Sequence, residues 1–200
     1  MRIFILLSFI LGCNTSYAQT YSKAVSDSEI ISFINSNIKL NHIQTISGKI
    51  YPLNINDFYF KDSADLATKN SAVSGNPYFI FRYHNGSATK EFTYHLDSIF
   101  SREDIDFFKT QIDGLQEQQH WKRTFKHALF NDDTELDERN LTKLTIHNYS
   151  IPLFSADKKK AIIIRSFYCG LLCGGGAYEL YEKNANNKWK LVKKMNEWAE

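Results

Sequence analysis

Lys160-Ala161-Ile162-Ile163-Ile164-Arg165-Ser166-Phe167-Tyr168-Cys169-Gly170-Leu171-Leu172-Cys173-Gly174-Gly175-Gly176-Ala177-Tyr178-Glu179-Leu180-Tyr181-Glu182-Lys183 is the run on which the fold turns. Its first limb, Lys160 to Tyr168, is the strongest β run of the chain, because β-branched and aromatic side chains fit a pleated, packed surface. Ala177 to Lys183 reads as its returning partner. Between the limbs stand Cys169, Cys173 and four of the nine glycines. Asn184 to Asn187 turns the chain again. Lys188 to Lys194 then returns, with Trp189 and Leu191 on one face and Lys188, Lys190 and Lys194 on the other. The pattern predicts an antiparallel meander of three strands, with Trp198 packed on it.

Upstream, Leu144 to Ser150 leads into Ile151-Pro152-Leu153-Phe154, and Ser155 to Lys158 forms a turn. Pro77 to Tyr83 and Lys90 to Leu96 flank Asn85-Gly86, a strong hairpin signal because both central residues must tolerate positive φ. Shorter strand signals lie at Lys49–Leu53, at Phe58–Phe60 and within Trp121–Phe130. Two helices are expected. Ser26 and Glu29 make a capping box ahead of Ile30, Ile31, Ile34 and Ile38, predicting a helix over 27–37. Ser101 caps a second, over 102–116, with Glu103 and Asp104 in its first turn and Ile105, Phe108, Ile112 and Leu115 as its apolar stripe. The prediction is one α+β domain over 19–200: an antiparallel sheet of about five to seven strands, both helices on one face. A curved sheet holding a helix, cystatin-like or nuclear-transport-factor-like (NTF2-like), is the nearest architecture by analogy.

Residues 1–18 read as a signal peptide. Arg2 is the positive n-region, Ile3 to Leu11 is apolar apart from Ser8, and Ser16-Tyr17-Ala18 fits a cleavage site before Gln19. The apolar run is shorter than the roughly 20 residues needed to span a bilayer. A second reading takes Ile10-Leu11-Gly12-Cys13 as a lipobox, which makes Cys13 a lipid anchor and the protein an outer-membrane lipoprotein. Cleavage between Ala18 and Gln19, giving a periplasmic or secreted protein, is preferred. Without Arg2, the 24 basic and 22 acidic residues leave a net charge of +1, which gives no electrostatic case for nucleic acid. No transmembrane segment follows the leader. The asparagine sequons at Asn85, Asn140 and Asn148 matter only in a eukaryotic cell, and the short leader suggests a bacterium.

Export makes a Cys169–Cys173 disulfide the default. The five-residue loop it closes gives a modest chain-entropy stabilisation of about 2 kcal/mol. Three other readings of the pair stay open: free thiols, a redox couple and a metal site. A redox couple normally uses C-x-x-C at the start of a helix, and a metal site needs two further ligands. Gly174-Gly175-Gly176 reads either as a bulge or wide turn where glycine supplies positive φ, or as backbone N–H groups presented to an anion. With Tyr168, these glycines are the candidate binding surface. His42, His84, His95, His120, His127 and His147 form no metal-ligand spacing, and no nucleophile elbow or phosphate loop occurs. No cofactor and no metal are read from the chain. The acidic stretch Asn131 to Asn140 lacks the spacing of a calcium loop.

Ser150 to Trp198 resembles the C-terminal part of a family of uncharacterised exported bacterial proteins. The likeness rests on Pro152 to Ser155, on Tyr168-Cys169-Gly170-x-x-Cys173-Gly174 and on Lys188-Trp189-Lys190. It implies export and a disulfide-bearing hairpin and assigns no catalytic residue. The leading functional expectation is an exported, non-enzymatic binding protein for an unknown protein or small-molecule ligand. One alternative is an exported hydrolase whose site gathers distant residues, such as His84 or His95 with Asp97 or Glu91. Another is an immunity-type inhibitor of a toxic enzyme.

Overall fold

A computed structural model of the chain describes residues 21–51, 53, 59–61, 78–85, 88–95, 99–115, 120–122, 125–131, 145–170 and 173–199, with the backbone alone at 59–61, 78–85, 88–95 and 131. The expected leader, with Cys13, Ala18 and Gln19, lies outside the described residues, as do the 132–140 acidic stretch, Asp97 and Gly86.

The three consecutive isoleucines of the opening run set the architecture. They lie in β8 (Lys160–Gly170), where successive side chains point to opposite faces. Ala161 and Ile163 are buried with Ile30, Phe33, Ile34 and Ile38 of α1 (Asp27–Leu40). Ile162 and Ile164 are buried with Ile105, Phe108 and Ile112 of α2 (Arg102–Asp113). The helices therefore cover opposite faces of the sheet, which corrects the expectation that both share one face. A continuous apolar run is what a strand buried on both sides requires.

The remaining strands are β1 (Thr45–Ile50), β2 (Tyr59–Lys61), β3 (Tyr78–Asn85), β4 (Ala88–His95), β5 (Leu129–Asn131), β6 (Ile146–Tyr149), β7 (Leu153–Phe154), β9 (Cys173–Lys183) and β10 (Trp189–Ala199). The main sheet has seven strands in the order β10-β9-β8-β6-β1-β5, with β7 beside β8. The C-terminal meander is antiparallel as expected. The sheet as a whole is mixed, because β1 pairs in parallel with both β5 and β6. This corrects the all-antiparallel expectation. Parallel neighbours need long connections between them, and the distant segments that return beside β1 carry no hairpin signal. Among the described residues of the Trp121–Phe130 signal, the strand is β5, at its end.

β2, β3 and β4 form a separate three-stranded antiparallel sheet. Pairing of β3 with β4 runs to Asn85↔Ala88, one residue beyond the register that an Asn85-Gly86 turn centre implies.

Local chemistry fixes the helices. Ser26 Oγ accepts from Glu29 N at the start of α1. Ser101 and Asp104 form a full capping box on α2: Asp104 N donates to Ser101 Oγ, and Ser101 N donates to Asp104 Oδ2. Two side chains on one face of α2, two turns apart, then clamp it to the β7 segment. The buried Gln111 amide donates to Phe154 O at 2.7 Å and accepts from Phe154 N at 2.9 Å. Asp104 Oδ1 accepts from Ala156 N at 2.8 Å. Where β6 breaks into β7, Ser150 Oγ accepts from Ile164 N at 3.0 Å and so satisfies a donor that the broken ladder would strand.

Candidate functional site

Burying Ile30, Phe33, Ile34 and Ile38 turns another stripe of α1 outward: Ser28, Ser32, Ser36 and Leu40, spaced four residues apart. This stripe faces the tip of the β9–β10 hairpin across a cleft of about 840 Å³. Lys183, Asn187, Lys188 and Trp189 supply the opposite wall, and Lys158 closes one end. The hairpin tip is held by its own turn. Asn184 Oδ1 accepts from Asn186 N and Lys188 N, each at 3.0 Å, and Asn187 takes the left-handed conformation at φ 59°. Asparagine tolerates that region better than most residues.

Aromatic rings support the cleft from below. Phe33 meets Trp189 edge-on with centroids 4.9 Å apart, and meets Phe154 and Tyr181 edge-on at 5.5 Å. Trp189 is half-buried, and Leu40 is 44 % exposed. The charges are unbalanced. Lys39, Lys158, Lys183 and Lys188 line the cleft with His42, against a single carboxylate, Glu29. Lys158 Nζ lies 2.8 Å from Glu29 Oε1. Burial alone would raise the Glu29 pKa, but the Lys158 and Ser26 hydrogen bonds outweigh it and hold the carboxyl below its usual value. Lys183 Nζ sits over the Trp189 ring, 4.8 Å from its centroid. Among the described residues no carboxylate stands within ion-pair distance of Lys39, Lys183 or Lys188.

A buried polar network stiffens the sheet under the last turn of α1. Arg165 on β8 donates through Nε and Nη2 to Glu179 on β9, whose side chain is 1 % exposed. The Tyr181 hydroxyl donates to Glu179 Oε2, and Asn41 Nδ2 donates to Tyr181 Oη at 3.3 Å. Tyr149 Oη donates to Asn37 Oδ1 at 2.7 Å. Burial would lower the Arg165 pKa, but the bonds and charge of Glu179 raise it instead. Burial pushes the Tyr181 and Tyr149 hydroxyls up, so both stay protonated. Burial, with the Arg165 charge beside it, lowers His147 to about 4. The Glu179 bonds lie within the sheet, while Asn37 and the C-capping Asn41 tie the end of α1 to Tyr149 and Tyr181.

The residues singled out from the sequence lie elsewhere. Cys169 and Cys173 form a disulfide, with Cα atoms 5.1 Å apart. They stand at the opposite end of the β8–β9 hairpin from the cleft, roughly 30 Å along the strands. Gly174, Gly175 and Gly176 are strand residues opposite Tyr168, Phe167 and Ser166. Positive φ occurs at Gly170 (127°) and at none of these three, which corrects the turn reading. Their smallness admits rings: an added Cβ at Gly175 would meet Phe167 Cε1 at 3.1 Å, and one at Gly176 would enter the Trp198 indole. His84 pairs with Thr89 and His95 with Tyr78, so the register sets the two histidines at opposite ends of their hairpin, about 20 Å apart. Glu91 lies opposite Arg82. Among the described residues no three His, Cys, Asp or Glu side chains gather as a metal site.

The cleft itself went unread in the sequence. Its only linear trace is the Ser28, Ser32, Ser36, Leu40 spacing, which looks like any solvated helix face until the hairpin tip is placed opposite. No protein-family model, no curated protein and no solved structure matches this chain.

Proposed function

We propose that this is an exported, non-enzymatic binding protein whose ligand seats in the cleft between α1 and the β9–β10 tip. The observation that carries the reading is the cleft's lining: Lys39, Lys183 and Lys188, without acidic partners among the described residues, beside exposed apolar surface, in a space of about 840 Å³, within the size range of small-molecule sites. These are groups that hold and orient a ligand. The lone carboxylate is already tied to Lys158 and Ser26. Export is supported by the leader-like residues 1–18 and by the Cys169–Cys173 disulfide. No helix among the described residues is long and apolar enough to cross a membrane.

Amide NMR tests this. The mature protein is titrated with a defined set of small organic anions and neutral sugars. Saturable shifts at Ser32, Ser36, Leu40, Lys183 and Lys188, abolished by Ser36→Trp, are expected. Shifts confined to other surfaces, or no shift with any member of the set, would refute the reading.

A further inference from the structure

The cleft's two chemistries narrow what it holds, and the inference rests on the binding reading above. One is apolar. Leu40 is one of three large apolar side chains exposed among the described residues, and the half-buried Trp189, packed on Phe33 and Phe154, lines the same cleft. The other is cationic. Lys39 comes from the last turn of α1, while Lys183 and Lys188 flank the β9–β10 turn, and none of the three has a carboxylate partner among the described residues. The whole chain carries only +2, so general basicity does not account for this excess. Like charges gathered along a low-dielectric cleft raise the local concentration of anions. Lys183 already lies against the Trp189 ring, so charge and apolar surface meet at a single point. Ser36 commits its proton to Ser32 O at 2.9 Å and so is not a donor to a ligand.

We propose that the cleft binds an amphiphilic organic anion: a carboxylate, sulfate or phosphate carried on an apolar ring or chain. The charged head sits among Lys39, Lys183 and Lys188, and the apolar body lies on Leu40 and Trp189. A bare inorganic anion would leave the apolar wall uncovered. A neutral apolar molecule would leave the lysines unpaired.

Two fluorescent probes separate these cases. Anilinonaphthalene sulfonate carries a sulfonate on an apolar aromatic body, and N-phenyl-1-naphthylamine has the same body without the charge. Binding is measured for the mature protein, for Lys39→Gln/Lys188→Gln and for Leu40→Gln. All three positions are exposed, and an unchanged melting temperature confirms that the fold is kept. The sulfonate is expected to bind at one site and to weaken about tenfold in the double lysine variant, the loss of two solvent-screened charges. Added salt should weaken it too. The neutral probe should bind more weakly and ignore the lysine change. Leu40→Gln should weaken both.

Decanoate should displace the sulfonate far better than inorganic phosphate. Equal competition by phosphate overturns the amphiphile. Neutral-probe binding as tight as the sulfonate's, or sulfonate binding that responds to Leu40→Gln and not to the lysines, overturns the anion and keeps the binding reading. Sulfonate binding that ignores both variants places the dye elsewhere, and both readings fall.

Discussion

Gly176→Ala should destabilise the protein through Trp198 and through no other residue. The two positions pair across β9 and β10, and the indole lies against the glycine. A Cβ there would overlap Cζ2, Cη2 and Cε2, the farthest of the three at only 2.8 Å, so the ring would have to move. The backbone φ is not in the left-handed region, so alanine fits the chain itself. By restricting the unfolded state, such a change stabilises by about 0.4–1 kcal/mol. Forcing a methyl into a packed contact costs about 1–3 kcal/mol. Trp198 is half-buried near the end of β10, so its ring can partly yield, and the net loss should be roughly 1–2 kcal/mol.

Urea unfolding of the wild type, Gly176→Ala, Trp198→Ala and the double variant gives the coupling directly. With the indole gone, Gly176→Ala should be neutral or stabilising by about 0.5 kcal/mol, a coupling of roughly 1–2.5 kcal/mol. Gly175→Ala serves as the contrast. Its Cβ would meet the Trp198 carbonyl oxygen at 2.7 Å, a backbone atom that removing the indole leaves in place. Trp198→Ala should therefore rescue Gly176→Ala and fail to rescue Gly175→Ala. Equal destabilisation of Gly176→Ala in both backgrounds would refute the ring-on-glycine account.

The Arg165–Glu179 pair makes a second prediction. Glu179→Leu strands the guanidinium, whose side chain is 14 % exposed, and should cost about 3–5 kcal/mol in urea unfolding. Adding Arg165→Met should restore most of that loss, and a double variant as unstable as the single one would contradict it. A third concerns His147. Its folded pKa lies near 4 against 6.5 for the free side chain, so between those values the unfolded chain binds more protons. Stability should therefore fall as pH drops from about 6.5 to 4. The full shift corresponds to roughly 3 kcal/mol, which part exposure to solvent reduces to about 1–2 kcal/mol. His147→Phe should flatten the urea midpoint between pH 7 and pH 4.5, and an unchanged slope would rule His147 out as the source.

The C-terminal meander, both helix caps and the hairpin over 78–95 were legible because each is written in a short stretch: alternation, Ser-x-x-acid spacing, Asn-Gly. The placement of the helices was half-legible. Ala161-Ile162-Ile163-Ile164 carries the signature of burial on both faces, and only assigning α1 and α2 to the same face conflicted with it. β1 was displaced and its parallel pairing missed, since Thr-Ile-Ser-Gly-Lys-Ile has weak strand character and its neighbours return from far along the chain. The cleft was illegible for the same reason. Lys39 and Lys183 are ordinary surface lysines until tertiary packing brings them to one opening. Conversely, the reactive residue types around Cys169 drew notice by their chemistry, while packing gives their glycines the task of seating Phe167 and Trp198.

The bonds that Gln111 and Asp104 make to Phe154 and Ala156 have a dynamic consequence. Those two amides belong to no helix, and their acceptors are side chains of α2. They can exchange with solvent only when α2 lifts from the sheet or its side chains let go. α2 and the β7 corner therefore behave as one cooperative opening unit although a long stretch of chain separates them. In hydrogen exchange, Phe154 and Ala156 should slow and quicken together with the interior amides of α2, reporting on a helix to which they do not belong.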